Sequence, residues 1–253
     1  MTIKAETMLN LLKQIHNDFQ ALTETLKFDQ WHAHHRTAIT LYSSIFEYAG
    51  SCITLIDMQQ TISIPGLLRS LLEAHVDLSN LIDDASYGYN LEASCFKEWI
   101  KLLNEAKKGD NELIMSLVNV ADETVTEIKN KYDEHKKNGY LPLTAKEKFD
   151  RAGMTKEYKA IFNMLSWDSH NNLNSLVRRH ITQRDDDFAI LIYKTTTPKD
   201  SAVYIALITE YFLRSTEKVH SFLNSQVIDK ITGYRSILNK LNVEAEMQTV
   251  GET

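Results

Sequence analysis

Ile64-Pro65-Gly66-Leu67-Leu68-Arg69-Ser70-Leu71-Leu72-Glu73-Ala74-His75-Val76-Asp77-Leu78-Ser79-Asn80-Leu81-Ile82-Asp83 reads as one amphipathic helix. Pro65 suits its first turn, where a missing N–H has no intrahelical partner to lose. Placed at about 100 degrees per residue, Leu67, Leu71, Leu78 and Ile82 gather on one side, flanked by Leu68 and Leu72. Arg69, Glu73, Asp77 and Asn80 gather on the other, and His75 falls in the middle of the apolar arc. A helix with this division needs a core on one side, and its neighbours show what supplies it.

Upstream, Lys4 to Lys27 set Met8, Leu12, Ile15, Phe19, Leu22 and Leu26 at alternating spacings of four and three. That seam suits pairing with another helix, either within the chain or from a second subunit in a homodimer. A second helix is predicted from Gln30 to Asp57, with Trp31, His35, Ala38, Tyr42, Ile45, Ala49, Ile53 and Ile56 near one face. Downstream, helices are predicted at Leu91–Lys107 and Asn111–Lys137, before Asn138-Gly139-Tyr140-Leu141-Pro142 breaks the pattern. Thr144 and Glu147 have capping-box spacing for a short helix through Arg151. Thr155 can cap a longer one running through Ser166 and His170 to about Arg179. Phe188–Tyr193 reads as a short strand or a buried extended connector. A last amphipathic helix follows at Ser201–Leu223, then a shorter one near Asp229–Leu241 and a loose polar tail.

The fold expected is therefore all-α, a multi-helix bundle of long amphipathic helices with at most one strand near 188–193. Residues 1–228 form a single helical domain, and 229–253 a C-terminal helix and flexible tail. Its 253 residues are enough to bury a core without metals or disulfides, and 8 Gly and 3 Pro favour long helices over a turn-rich sheet protein. Cys52 and Cys95 match neither a disulfide framework nor a zinc pattern and read as reduced, largely buried thiols. The opening residues turn polar too soon for a signal peptide, and no apolar run approaches a membrane span, so a cytoplasmic protein with no membrane association is expected. The net charge of −6 argues against broad attraction to a nucleic-acid backbone while leaving room for a local basic patch.

Arg69 and Glu73 lie one turn apart and can pair, either as an ordinary surface ion pair or as a polar layer facing a cleft. In the second case Arg69 binds phosphate or carboxylate while Glu73 holds its guanidinium. His75 is either a satisfied core histidine or, if another helix brings a polar group to it, a proton-transfer residue. In Ser166-Trp167-Asp168-Ser169-His170 the outer serine and the histidine sit one turn apart at the edge of an apolar stripe. That place suits an interhelical hydrogen bond, or a role for His170 as general base. Arg178, Arg179, His180 and Arg184 form a basic patch that either solvates a helix end or binds RNA or phosphate; Asp185, Asp186 and Asp187 follow as a surface turn. His32, His34 and His35 cluster without a carboxylate partner or a metal motif. Neither a metal nor a cofactor is expected.

The Arg-x-x-x-Glu of an early core helix, taken with the later Ser-x-x-x-His, resembles a family of bacterial helical proteins known only as a domain of unknown function. The likeness spans roughly residues 35–225 and implies an unassigned site at Arg69, Glu73, Ser166 and His170. Arg69-x5-His75 is also similar to the arginine–histidine motif of the HEPN superfamily, helical RNA-cleaving proteins often tied to toxin and antiphage systems. That resemblance implies action on RNA phosphodiesters, commonly in a dimer. Here the usual polar residue after the arginine is only Ser70, and the helical wheel sets Arg69 and His75 about 120 degrees apart.

Two functions follow as expectations. The first is a metal-independent ribonuclease or toxin-like effector, with Arg69 neutralising phosphate and His75 or His170 handling the proton. The second is a noncatalytic interaction or ligand-sensing protein with a buried polar network and a helical protein partner.

Overall fold

The computed structural model describes residues 2–24, 26–170, 172–184, 187–192 and 196–250, with side chains for all of these except 2–4, 119–122, 184 and 243–250. Helices account for nearly all of it. In chain order they are α1 (Thr2–Glu24), α2 (Ala33–Asp57), α3 (Ile64–Asp83), α4 (Tyr87–Lys107), α5 (Ala121–Lys137), α6 (Ala145–Arg151), α7 (Thr155–Glu157), α8 (Asn163–Ser169), α9 (Leu173–His180), α10 (Ala202–Phe222) and α11 (Ile228–Val250). Two 3-10 turns, Thr61–Ser63 and Glu112–Val120, and a π turn, Tyr158–Phe162, complete the helical chain. Strands β1 (Ile181–Arg184) and β2 (Asp187–Ile190) form the only sheet among the described residues, an antiparallel hairpin in which Ile181 faces Ile190.

Helix α3 is the centre of the bundle. Leu68, Leu71, Leu72, Val76 and Leu78 are wholly buried against α2 and α10. The seam of α1 is used inside the chain, because Met8, Leu12, Ile15 and Phe19 join the same core through contacts with α2, α10 and α11. Helix α2 is long and apolar enough by composition to cross a membrane, against the expectation that no apolar run approaches a span. Its Ala38, Tyr42, Ile45, Ala49, Cys52 and Ile56 are buried in this core. Trp31 precedes the helix and is exposed. Helices α4 and α5 pair in a separate small cluster around Leu103 and Val125.

The polar side of α3 is also covered. Helix α6 crosses it, begun by the full capping box of Thr144 and Glu147. Lys148 contributes a 3.0 Å ion pair to Asp77, and the Lys148 carbonyl accepts from Asn80 at 2.9 Å. Tyr87 donates to the same Asp77 carboxylate. These contacts explain how Asp77 and Asn80 lie inside a folded unit: each polar atom taken from water has a partner.

Four expectations need correcting. The helix drawn from Thr155 to Arg179 is broken into α7, the π turn, α8 and α9, and Thr155 donates to Asp150 rather than capping. The strand expected at 188–193 is β2, ending at Ile190, with an unexpected partner in β1; Tyr193 lies outside the described residues. Helix α11 extends to Val250, where a loose tail had been drawn. Cys52 is buried, which pushes its thiol up to about 12, but Cys95 is exposed.

Candidate functional site

The break in the 155–179 helix creates the site. At the π turn the Ser166 hydroxyl donates back to the Phe162 carbonyl at 2.8 Å, and α8 runs on only to Ser169. His170 leaves the helix in an extended conformation, φ −99° and ψ 162°, while its N–H still bonds the Ser166 carbonyl. The chain restarts at Asn172, whose side chain accepts from the N–H of Asn174 and caps α9. His170 is thereby turned off the helix axis and exposed beside the first turns of α3.

Arg69 meets it there. Nη1 of Arg69 lies 3.0 Å from Nε2 of His170, and the guanidinium sits over the Phe162 ring at 4.7 Å. Arginine has only donors, so Nε2 must offer its lone pair and the imidazole proton must sit on Nδ1. Glu73 Oε1 lies 3.3 Å from the Arg69 Nε, close enough for an ion pair but outside hydrogen-bond alignment, and that Nε is buried with no hydrogen-bond partner. The guanidinium is thus held in place by an aromatic face, a carboxylate and an imidazole, with donor capacity left over. Such a group can receive a phosphate or carboxylate oxygen.

His75 belongs elsewhere. It is fully buried, its Nδ1 is 2.7 Å from the Ser215 hydroxyl, and its ring packs 5.4 Å from Tyr211. Ser215 gives its own proton to the Tyr211 carbonyl, so Nδ1 is the donor to Ser215 and Nε2 is left without a partner. Burial drives its pKa down to about 3, reinforced by the positive charges of Arg214 and Lys218. The ring is a neutral core group on the face of α3 opposite Arg69, and the two do not converge.

Of the basic patch, Arg178 donates to Asp168 Oδ1 at 2.5 Å, and Arg179 donates to the Asp168 carbonyl. The Arg184 side chain lies outside the described residues, as do Asp185 and Asp186. Asp168 is the residue that sequence reasoning missed. It is 7% exposed and also accepts from Ser175 at 2.9 Å and Tyr204 at 3.0 Å, tying α8, α9 and α10 together. Burial, then the Asp168 charge, pushes the Tyr204 phenol up to about 12, which keeps it a donor. Above this carboxylate opens a cavity of about 490 Å3 lined by Trp167, Asn172, Asn174, Ser175 and Arg178. The Asn171-Asn172 pair after His170 was the available signal for the break that builds both features.

No group of three or more His, Cys, Asp or Glu side chains is placed to hold a metal ion among the described residues. The His32, His34 and His35 rings pack on one another, and the latter two on Phe222; His34 Nε2 bonds the Leu81 carbonyl at 2.7 Å.

A family model described as a family of unknown function, DUF5677, matches residues 35–189, a span that contains Arg69, Glu73, Ser166, Asp168 and His170. No curated protein and no solved structure matches the chain.

Proposed function

The chain belongs to the family of unknown function DUF5677, and from that premise, which fixes no chemistry, we propose that it is a metal-independent ribonuclease acting through Arg69 and His170. One observation carries the proposal: an exposed imidazole whose Nε2 lone pair is directed at the guanidinium of a partly exposed arginine. When an RNA phosphate arrives, the Arg69 guanidinium turns to its nonbridging oxygens, and Nε2 is released. Nε2 then takes the proton of the adjacent 2′-hydroxyl, whose oxygen attacks phosphorus. The phosphorus–5′-oxygen bond breaks, the 5′-oxygen leaves with a proton from water, the hydroxide so formed takes the proton back from His170, and a 2′,3′-cyclic phosphate remains. Glu73 positions Arg69 through the first two steps, and Phe162 supports the guanidinium plane. Ser166 has no part, because its hydroxyl is committed to the Phe162 carbonyl.

The experiment is incubation of single-stranded RNA with the protein in excess chelator, with products resolved by end chemistry. Cyclic phosphate termini are expected from the wild type and not from Arg69→Ala or His170→Ala with unchanged melting curves. Wild-type protein that leaves RNA intact overturns the proposal.

A second reading, a noncatalytic ligand-sensing or interaction module, draws support from Asp168, whose four contacts to α9 and α10 make a polar joint with no reacting group. Under it, substitutions at Arg69, Glu73 and His170 weaken folding and partner binding in parallel, and there is no cleavage product to lose.

A further inference from the structure

The cavity above Asp168 is lined by residues that flank His170 in sequence, and its lining shares none of the Arg69 contacts. Trp167 stands on its wall with 64% of its surface exposed, an unusual state for the largest apolar side chain. Trp167 and His170 are three residues apart across the end of α8, and Asn172, two residues beyond His170, lines the same cavity. Arg178 reaches it from α9. Its guanidinium is fixed at one end by Asp168, yet its side chain remains 66% exposed. Asn174 and Ser175 add amide and hydroxyl groups to the lining. The floor is built rather than adventitious: Asp168 is more than nine-tenths buried and held by Ser175, Arg178 and Tyr204.

We infer that this cavity is a nucleoside subsite for single-stranded RNA, in which Trp167 stacks on an unpaired base next to the phosphate held at Arg69 and His170, and Arg178 binds the neighbouring phosphate. The choice of ligand rests on the phosphodiester reading above. The chemistry of the pocket fits it: an exposed indole is a platform for any base, side-chain amides can bond a base edge, and a guanidinium matches a phosphate. A cavity of about 490 Å3 has room for one nucleoside. Duplex RNA has no unstacked base to offer, so the subsite selects single strands. The chain carries a net charge of −6, which makes attraction local to Arg69 and Arg178 and keeps the salt dependence shallow.

The test is equilibrium binding, by fluorescence anisotropy, of a short labelled single-stranded 2′-O-methyl RNA, which has no 2′-hydroxyl with which to be cleaved. Trp167→Ala is expected to weaken binding about tenfold or more, with Trp167→Phe retaining most of it. Trp167 is exposed, so its removal leaves no cavity in the core, and Trp31→Ala, at a still more exposed tryptophan outside the cavity, serves as control. Arg178→Ala is expected to lower the slope of log K against log salt by about one. Equal affinity in wild type and Trp167→Ala overturns the inference; so does equal loss in Trp31→Ala, or equal affinity of the wild type for a duplex of the same sequence. Tight, Trp167-dependent binding by a wild type that does not cut unmodified RNA sinks the ribonuclease reading and leaves the subsite standing.

Discussion

Two histidines show how differently one bundle can treat the same side chain. His75 lies on the inward face of α3, with no exposed surface, one hydrogen bond to Ser215, and an unpaired Nε2. His170 lies at the open end of α8, carried out of the helix by its own extended backbone, with Nε2 on Arg69. By spacing alone, His75 is the better match to an arginine–histidine motif. By surroundings, His170 is the one that can meet a substrate. A proton-transfer group needs access and a partner whose charge responds to the reaction, and five intervening residues of sequence guarantee neither.

The sharpest way to break the contrast is through rate. His170→Ala should lower RNA cleavage by about 10²–10⁴-fold, the range for removing a positioned general base, measured in single turnover. Its stability should change little, because the ring is exposed and Arg69, to which its Nε2 bonds, keeps Phe162 and Glu73. A His75 variant that loses cleavage while keeping its fold would reverse the assignment.

The second effect falls on stability. His75→Ala should cost roughly 2–3 kcal/mol in denaturant unfolding, from the void left against Tyr211 and the lost bond to Ser215. Its pH signature is more specific. The folded pKa of about 3 lies below the ordinary value of 6.5, so between those limits the unfolded chain binds a proton that the folded chain refuses. Stability therefore rises with pH across that window and is lost as the solution is acidified from 6.5 toward 3, by about 5 kcal/mol for the complete titration of this group. His220, lowered to about 4 by its burial, adds to the same slope. Removing His75 should flatten the wild-type curve of unfolding free energy against pH, leaving the portions that His220 and His16 contribute, both lowered by burial. An unchanged curve would mean that His75 is not excluded from water.

The polar face of α3 supplies the third. Asp77→Ala should destabilise by about 2 kcal/mol, because Lys148 and Tyr87 lose the carboxylate that both of them bond. A neutral result would mean that α6 does not depend on α3 for its place.

These contrasts also show where sequence was informative. The two faces of α3 could be read because twenty residues of 3.6-fold periodicity average out local exceptions, and Thr144–Glu147 because a capping box is complete within four residues. Arg69, Glu73 and His170 were recognisable as candidates, but the side of α3 that faced a second polar layer was not. That depends on α6 and α8 folding back across more than sixty residues. The break at His170 had only Asn171-Asn172 as a local signal, set between flanks compatible with helix, and one Asn cap decides it. Asp168 was invisible for a related reason: its partners come seven to thirty-six residues later, on helices whose angle no local pattern encodes.

The smallest expected effect is the most diagnostic of the site's boundary. Ser166 sits one turn before His170 and belongs to the same short pattern, yet its hydroxyl points back along its own helix to Phe162. A back-bond of that kind contributes little and slightly disfavours a regular helix. Alanine also has the higher helix propensity, so Ser166→Ala should change stability by no more than about 0.5 kcal/mol in either direction. Cleavage should continue at the wild-type rate, because Arg69, Glu73 and His170 keep every contact they make. Loss of cleavage in a folded Ser166→Ala protein would require the hydroxyl to leave Phe162 and turn toward the substrate. The π turn would then be a moving part of the site rather than the support for His170.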